Sequence, residues 1–477
     1  MRETAGARLL RGYYGRRLVS CRHIWCWSFV LALLCTLITW PGVWYSDSYV
    51  RVNTGNAILN TLINLLHGRR VPLETDNAFS VLPSFFMALS IGLTGHVSLY
   101  TFLQAFAFFA AAFLLIREVN PEHRILQSVL LACCPLIYGV SVYYEAGIGC
   151  LTGLALLLLL LLRADDPKGR WDRALEFLGT AFFSFVTFGY RANALTVLPV
   201  LFLLLLRGKA KKIWKSLLLL AILLGILMTA GLPRILGIHS QSVSSVGIVW
   251  EMLTAIQRIP EAEREPYLDY LDELGGEGVT RAALEISNEE TSGSFTSAGL
   301  LGPGHLSAPG ATLLALRKYF RLMLERPVEW FSVKRDVILR SLGIGKALDG
   351  SEYSYNRWDA MGDYGFNDSR QRHAFVDSFL ACFEGLGFYT RHPWVPFLLS
   401  LLLVLAEYAL KRPGRGKDAL LLWTAAFYYL AYLLDTPAYD FRYFYPSLWM
   451  LMILDGAVIL KEAGRLHKKI SVSRRKR

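Results

Sequence analysis

Two acids and two arginines lie in short polar turns that interrupt long apolar runs of this 477-residue chain. Asp47 follows the first apolar run, and Glu145 lies in the turn Tyr143-Tyr144-Glu145. A carboxylate at an apolar boundary is partly desolvated, which favours proton acceptance. Arg191 and Arg442 lie in two later turns, and a guanidinium fork binds phosphate oxygens in bidentate fashion. These residue types predict acid–base chemistry beside a phosphate group, provided that the four turns meet.

Two neighbours extend this candidate set, and each member has a plainer interpretation. Asn193 shares the turn of Arg191, and Tyr443 follows Arg442 at the start of an apolar run. The acids could be hydrated residues at helix ends, and Arg191 could form a structural salt bridge. Tyrosines beside the last turn are also typical of an aromatic belt at a membrane interface.

The apolar runs that separate these turns indicate a membrane protein. Hydrophobic residues make up 54% of the chain, charged residues 18%, and the mean hydropathy is +0.36. A hydrocarbon core about 30 Å thick needs roughly 17–25 mostly apolar residues per spanning helix, and many segments approach or meet that length. A large soluble helical protein would show interrupted, amphipathic runs instead.

The net charge of +12 follows from topology and does not indicate a nucleic-acid partner. Residues 233–391 contain 16 basic and 21 acidic residues, whereas the remainder contains 34 basic and 17 acidic ones. The basic residues cluster at the ends of apolar runs, as the positive-inside rule expects of cytoplasmic loops. We therefore predict a multi-pass protein whose N- and C-termini are both cytoplasmic, and whose basic tail contacts anionic lipid.

Alternation of basic and other loops predicts an all-α polytopic fold with about ten transmembrane helices. A basic N-terminus, 1–22, precedes a seven-span module, 23–232, whose first outer loop is 45–96. A large outer loop, 233–391, separates spans seven and eight, three C-terminal spans occupy 392–460, and 461–477 is a basic tail. The predicted spans are 24–44, 97–116, 125–142, 147–163, 174–190, 192–206, 213–232, 393–411, 418–434 and 444–460.

The two outer loops carry their own predictions. Within 45–96, the stretches 56–67 and 77–95 are predicted to be helices at the outer interface, with a span at 77–93 as the alternative. Within the large loop, 240–310 is expected to be irregular or short-helical, and 313–342 to form two amphipathic helices broken at Pro327. The aromatic and polar stretch 349–368 is either a substrate-facing surface or simply an exposed loop.

Other chemistry has little support in the sequence. No HExxH or clustered histidine motif predicts a metal site, and no GxxxxGK[ST] motif predicts ATP hydrolysis. Only Cys382 lies in the large loop, so no disulfide framework can form there. Asp455 lies within the last apolar run, where a structural pairing with Lys461 or a helix contact is the simpler interpretation. We therefore expect no cofactor, and a divalent metal is an alternative without support in the sequence.

In these motifs the chain resembles the type-C (GT-C) superfamily of membrane glycosyltransferases, which includes protein mannosyltransferases and lipid A aminoarabinose transferases. The family pattern is an acid just after the first span, matched by Asp47, and then two interfacial helices. Arg191-Ala192-Asn193-Ala194-Leu195 resembles the family's R-x-N-A-L entry to a span, and Arg442-Tyr443-Phe444-Tyr445-Pro446 its late RY-x-x-P motif. The family often has two adjacent acids where this chain has Asp47-Ser48.

The resemblance implies inverting transfer of a sugar from a polyprenyl-phosphate donor on the extracytoplasmic face of a bacterial cytoplasmic membrane. In that interpretation Asp47 is the general base and Glu145 positions the acceptor or donor sugar. Arg191 and Arg442, with Asn193 and Tyr443, bind the phosphate. The expected partners are the lipid-linked sugar, membrane lipids, and a glycan, lipid or protein acceptor. The alternatives are a transporter or flippase of a lipid-linked glycan, and an O-antigen-type polymerase or ligase.

Overall fold

The computed structural model describes most of the chain, and all structural statements below concern this part. The described residues are 22–38, 46–69, 76–77, 80–134, 145–164, 169–208, 210–236, 238–240, 244–289, 292–302, 305–308, 310–348, 387–436, 438–439 and 441–475. The basic segment 1–21, the tyrosines of the turn 143–144 and the stretch 349–386 lie outside them. Asp47, Glu145 and Arg442 are described as backbone positions within helices.

The described chain is helical, apart from one pair of two-residue strands. The helices before the large loop are α1 (Arg22–Ile38), α2 (Ser46–Leu66), α3 (Val81–Thr94), α4 (Ser98–Val119), α5 (Arg124–Cys133), α6 (Glu145–Leu162), α7 (Arg170–Tyr190), α8 (Leu198–Arg207) and α9 (Lys212–Leu236). A 3₁₀ helix, Ala192–Val197, precedes α8. The strands are β1 (Asp76–Asn77) and β2 (His239–Ser240), which pair in parallel.

The large loop and the C-terminal region are helical as well. Their helices are α10 (Ser244–Arg258), α11 (Asp272–Gly275), α12 (Val279–Ile286), α13 (Gly293–Ser297), α14 (Ala311–Glu325), α15 (Pro327–Ser341), α16 (Gly387–Thr390), α17 (Trp394–Ala409), α18 (Arg415–Leu434) and α19 (Phe441–Arg475). Short 3₁₀ turns occupy Glu261–Glu263, Glu265–Tyr267 and His305–Ser307.

Three of the described helices are long and apolar enough to cross a membrane: Ser98–Val119, Lys212–Leu236 and Tyr443–Ser473. Shorter apolar helices occur at His23–Leu37, Val81–Thr94, Arg124–Cys133, Gly147–Leu162, Ala192–Arg207 and Trp394–Ala409. The helical fold is confirmed and is compatible with a membrane protein, whereas the number of about ten spans stays a prediction.

Several helix boundaries differ from the prediction for local reasons. The predicted span 192–206 begins as a 3₁₀ helix, and the α-helix starts at Leu198, where Pro199 is tolerated because first-turn N–H groups have no helical partner. The predicted span 125–142 has a helix only over Arg124–Cys133 in its described part, because Cys134 is extended before Pro135.

The two helices of the first outer loop also begin elsewhere than predicted. The helix expected at 56–67 starts at Ser46, so Asp47 lies in its first turn and not ahead of it. The stretch 77–95 contains a strand residue at Asn77 and then a helix from Val81, which ends at Gly95 with a φ of 71°.

The prediction for 240–310 was wrong in one respect, because α10 is a regular 15-residue helix at its start. Serines and glycines surround α10 in the sequence, so the helical spacing of its apolar residues was not recognised. Trp250 and Leu253 of this helix are fully buried. The two helices predicted on either side of Pro327 are confirmed as α14 and α15. These helices pack with α10 around a hydrophobic core of their own, which we call the loop domain (residues 244–341).

The helical bundle outside the loop domain has two distinct ends. At one end, which we call the basic end, Glu118 forms ion pairs with both Arg163 and Lys417 at 2.7 Å. Lys461 pairs there with Asp418 at 2.6 Å. Segments predicted to lie on one side of the membrane therefore meet at one end of the bundle.

The opposite end, the loop end, carries both predicted outer loops. The β1–β2 pair joins the first outer loop to the start of the large loop. Gly225 of α9 packs against Ser184 of α7, and Thr229, one turn later, donates a hydrogen bond to the carbonyl of Phe185 at 3.4 Å. The two helices therefore run in parallel, so α7 ends at Tyr190 on the same end as the large loop.

Candidate functional site

Arg191 lies against two stacked tyrosines at the loop end. It ends α7 in an extended conformation, with φ −149° and ψ 113°, which turns the chain sharply into the following 3₁₀ helix. Its guanidinium carbon is 5.5 Å from the ring centroid of Tyr443 and 5.8 Å from that of Tyr432. The two rings stack at 4.7 Å with an interplanar angle of 18°. The two sequence motifs that contain Arg191 and Tyr443 therefore meet in space.

The tyrosines are held by the junction of α18 and α19. Tyr432 lies in the last turns of α18 and Tyr443 in the first turn of α19, and both are buried. Tyr429 and Phe444 pack edge to face beside them, with their ring centroids 5.2 Å apart. This aromatic layer fixes the rings that support the guanidinium, and a cation over aromatic faces contributes about 0.5–2 kcal/mol.

Tyr190, the residue before Arg191, contacts the first outer loop. Ser80, just ahead of α3, donates a hydrogen bond to the carbonyl of Tyr190 at 2.7 Å. The hydroxyl of Tyr190 is 3.4 Å from that of Tyr100 in α4, and its ring stacks against Phe86 of α3 at 6.2 Å. The residue before Arg191 therefore anchors both the second helix of the first outer loop and the start of α4.

The backbone of Asp47 lies at this end as well. Val52, five residues later in α2, packs in one cluster with Met87, Val97 and Tyr100. A helical rise of about 1.5 Å per residue places Asp47 roughly 7–8 Å along the helix from Val52. The first turn of α2 thus begins about one and a half helical turns from the cluster that contains Tyr100, whose hydroxyl contacts Tyr190.

Glu145 begins α6 at the same end. A Cβ atom on Gly149, one turn into α6, would lie 1.9 Å from the ring of Tyr190, and one on Gly153 would lie 2.7 Å from the hydroxyl of Thr187. Glycines therefore allow α6 and α7 to approach closely in antiparallel directions. Cys150 of α6 is also close enough to Arg191 for an electrostatic interaction.

The six predicted site residues thus fall into three groups. The structure brings Arg191 and Tyr443 into side-chain contact. Asp47, Glu145 and Arg442 are placed at the loop end by their backbones, each in the first turn of a helix. Asn193 is half-buried in the 3₁₀ helix, where its backbone carbonyl accepts a hydrogen bond from Thr196 at 2.8 Å.

Arg51 is a buried arginine that the sequence analysis missed. It lies four residues after Asp47 in α2, on the same helix face, and is only 1% exposed. Burial of a guanidinium costs free energy unless the group is paired, so a buried arginine indicates a specific structural or functional role. The signal that singled out Arg191, a basic residue in a predicted outer segment, applied equally to Arg51.

A second missed feature is a buried charged network where the loop domain meets the bundle. Lys334 of α15 donates hydrogen bonds to Glu251 of α10, at 2.7 and 3.0 Å, and to the carbonyl of Leu434 at the end of α18. Tyr319 of α14 donates to the same carboxylate at 2.6 Å. Three helices of the loop domain therefore converge on the C-terminal end of α18.

Asp435 completes this network, which we call the junction network (Glu251, Tyr319, Lys334 and Asp435). Its Oδ1 atom is buried with no hydrogen bond from any described residue, although other atoms of the side chain keep some exposure. Gly247 leaves room for it, because a Cβ atom there would lie 2.0 Å from Oδ1. Burial raises the pKa of Asp435 to about 7, the Glu251 carboxylate adds to the rise, and Lys334 opposes it. Burial also raises the pKa of Glu251, against the opposing effect of Lys334.

A charged cleft lies beside the junction network. It is lined by Trp250 and Tyr439, whose rings meet edge to face at 5.4 Å, and by Arg258, Asp336 and Arg340. Arg258 bonds to Asp336 at 2.8 Å, and Arg340 lies over the ring of Tyr439 at 5.6 Å. Tyr439 lies two residues before α19, so the loop domain contacts the chain just ahead of the helix that carries Tyr443.

Two weaker predictions can also be placed. Asp455 accepts hydrogen bonds from Ser400 at 2.6 Å and Tyr389 at 2.8 Å, so it joins α19 to α16 and α17 by a helix contact. Lys461 pairs with Asp418 instead of with Asp455. Among the described residues, no group of three or more His, Cys, Asp or Glu side chains could hold a metal ion.

Comparisons of the chain with protein-family models, with curated proteins and with solved structures each return no match. The likeness to the GT-C pattern therefore depends on the sequence motifs alone.

Proposed function

We propose that the chain transfers a sugar from a polyprenyl-phosphate donor to an acceptor, with inversion, at the loop end of its helical bundle. The observation that supports this most directly is the placement of Arg191 over Tyr432 and Tyr443. Contact with aromatic rings holds a guanidinium in place, and the N–H groups of a guanidinium bind phosphate oxygens in bidentate fashion.

The proposed reaction assigns one step to each charged residue. Asp47 accepts the proton of an acceptor hydroxyl, whose oxygen attacks the anomeric carbon of the donor sugar. The bond from that carbon to the phosphate oxygen breaks, and polyprenyl phosphate leaves with the electron pair. Arg191 and Arg442 stabilise the charge that grows on the leaving phosphate, and Glu145 positions the acceptor or donor sugar.

Two features of the geometry support this assignment. The helices that begin at Ser46, Glu145 and Phe441 each start at the loop end, where the N-terminus of a helix favours anions. The loop domain contacts this end at Leu434 and Tyr439, and exclusion of water from a site strengthens electrostatic stabilisation. A cofactor is not needed for this chemistry, because the phosphate is itself the leaving group.

The test uses purified full-length protein and a panel of polyprenyl-phosphate sugars, with release of polyprenyl phosphate as the measurement. We expect Asp47→Asn to abolish release while the protein still inserts and elutes as a single species. The matched control is Glu277→Gln, an exposed acid of the loop domain, which should release lipid phosphate at the unaltered rate. Retained turnover in Asp47→Asn would reject the assignment of the base.

The same assay separates the alternative functions. A transporter or flippase would move a lipid-linked glycan between leaflets of a vesicle without release of lipid phosphate. A polymerase or ligase would release lipid diphosphate from an oligosaccharide donor and would not act on a monosaccharide linked through one phosphate. Either outcome would overturn the proposed reaction.

A further inference from the structure

The loop domain presents an apolar surface that its own core does not use. Leu313, Phe320 and Leu324 of α14 and Val328 and Phe331 of α15 are each between 52% and 76% exposed. We call these five side chains the α14–α15 face. Single exposed apolar side chains are normal in proteins, but five large ones within 19 consecutive residues form a patch of the kind that marks an interaction site.

The face is distinct from the sides of α14 and α15 that build the loop domain. Leu313, Phe320 and Leu324 are spaced by seven and four residues, so they share one side of α14. The buried side of α14 carries Ala315 and Leu322 instead. Each helix is therefore apolar on two sides, one turned to the loop-domain core and one turned outwards.

The position of α15 identifies what this face meets. Lys334, three residues after Phe331, donates a hydrogen bond to the carbonyl of Leu434, the last residue of the apolar helix α18. Leu430 and Leu434 are themselves exposed on the outside of the bundle. Phe331 therefore lies about one helical turn, roughly 5 Å along α15, from the residue whose side chain reaches the end of α18, where the apolar outer surface of the bundle ends.

Arginines are interleaved with the apolar residues of this face. Arg317 and Arg321 lie on the exposed side of α14, and Arg335 on that of α15. Arg321 pairs with Glu325 and Arg335 with Asp336, so the surface has little net charge near them. Long basic side chains beside Leu and Phe are typical of helices at a membrane interface, because the guanidinium reaches the headgroups while the apolar part stays in the acyl boundary.

We propose that the α14–α15 face inserts into the membrane leaflet at the loop end, at the boundary between lipid headgroups and acyl chains. The loop domain is then held by two contacts, the junction network on α18 and the lipid surface beside it. This proposal depends on the chain spanning a membrane, but it does not depend on the proposed glycosyl transfer. A zwitterionic leaflet suffices, because the inserting side chains are apolar and two of the three nearby arginines are paired with acids.

The test places a photoreactive benzoylphenylalanine in the full-length chain, reconstituted in nanodiscs of zwitterionic phospholipid. The probe replaces Phe320, Leu324 or Phe331 in turn, and Arg281, an exposed residue of α12, is the control position. After irradiation, adducts are identified by mass spectrometry. Phe320 and Phe331 keep an aromatic ring at their position, so at least these two variants retain the native shape of the face.

We expect lipid adducts at the three positions of the face to exceed those at residue 281 several-fold. Adduct levels equal to the control at all three positions would overturn the proposal. A cross-link between two copies of the chain in place of lipid would overturn it as well, because it would identify the occupant as a second copy. Loss of turnover in a variant does not bear on the result, since adduct formation is measured independently of activity.

Discussion

Replacement of Asp435 by asparagine is expected to stabilise the docking of the loop domain at alkaline pH. The unfolded chain binds a proton at Asp435 near its ordinary pKa of 3.8, whereas burial in the junction network raises the pKa to about 7. Between these two pH values the folded state holds more protons than the unfolded state. Stability contributed by this residue therefore falls as the pH rises from about 4 to about 7, and changes no further above that.

The size of the effect follows from the shift. A difference of about three pKa units corresponds to about 4 kcal/mol, and we expect about 2–4 kcal/mol because part of the side chain keeps contact with solvent. Asparagine cannot ionise, so the variant does not lose this stability above pH 7. Asp435→Asn should therefore be more stable than the unaltered chain at pH 8 and lose that advantage near pH 4.

Hydrogen exchange of α15 in the full-length protein measures this effect locally, as the free energy of opening at a series of pH values. Glu277→Gln is the control. Glu277 is an exposed acid that is not part of the junction network, so its replacement should leave the pH dependence unchanged. An Asp435→Asn variant that opens more readily at pH 8, or a difference that is the same at pH 4 and pH 8, would refute the reasoning.

Three further substitutions test other contacts. Lys334→Met leaves Glu251 buried without its cation, so it should destabilise the loop domain by about 3–5 kcal/mol, measured by chemical unfolding; an unchanged unfolding midpoint would contradict this. Gly149→Ala places a methyl group within an aromatic ring, so it should lower the free energy of unfolding by about 1–3 kcal/mol. Gly231→Ala is the control, because nothing lies within 4 Å of its added methyl group and the protein should not be destabilised. Thermal unfolding measures both. Arg191→Lys keeps the charge but loses the planar fork, so the KM for the lipid-linked donor should rise several-fold; an unchanged KM would remove this residue from the phosphate site.

Much of the helical framework could be predicted from apolar runs alone, because each run is long and bounded by charged turns. The prediction was weakest where proline or glycine chemistry decided the local conformation. The 3₁₀ helix ahead of Pro199 and the extended Cys134 shortened two predicted helices. The helix α10 was missed because serines and glycines surround its apolar positions.

The candidate site could be predicted only as a set of turns. The sequence showed Arg191 and Tyr443 in separate motifs. Their contact depends on how α18 packs against the 3₁₀ helix that follows α7. The junction network could not be predicted, because Glu251, Lys334 and Asp435 are far apart along the chain and none belongs to a motif. Tertiary packing alone brings these three residues together.

Release of lipid phosphate by the purified, full-length chain tests the central claim most directly. We expect at least one polyprenyl-phosphate sugar in the panel to yield free polyprenyl phosphate together with an inverted glycosidic product, and the yield to depend on Arg191. Two results together would contradict the account. One is that the unaltered protein releases no lipid phosphate from any donor in the presence of acceptors, and the other is that Arg191→Gln binds these donors with unchanged affinity.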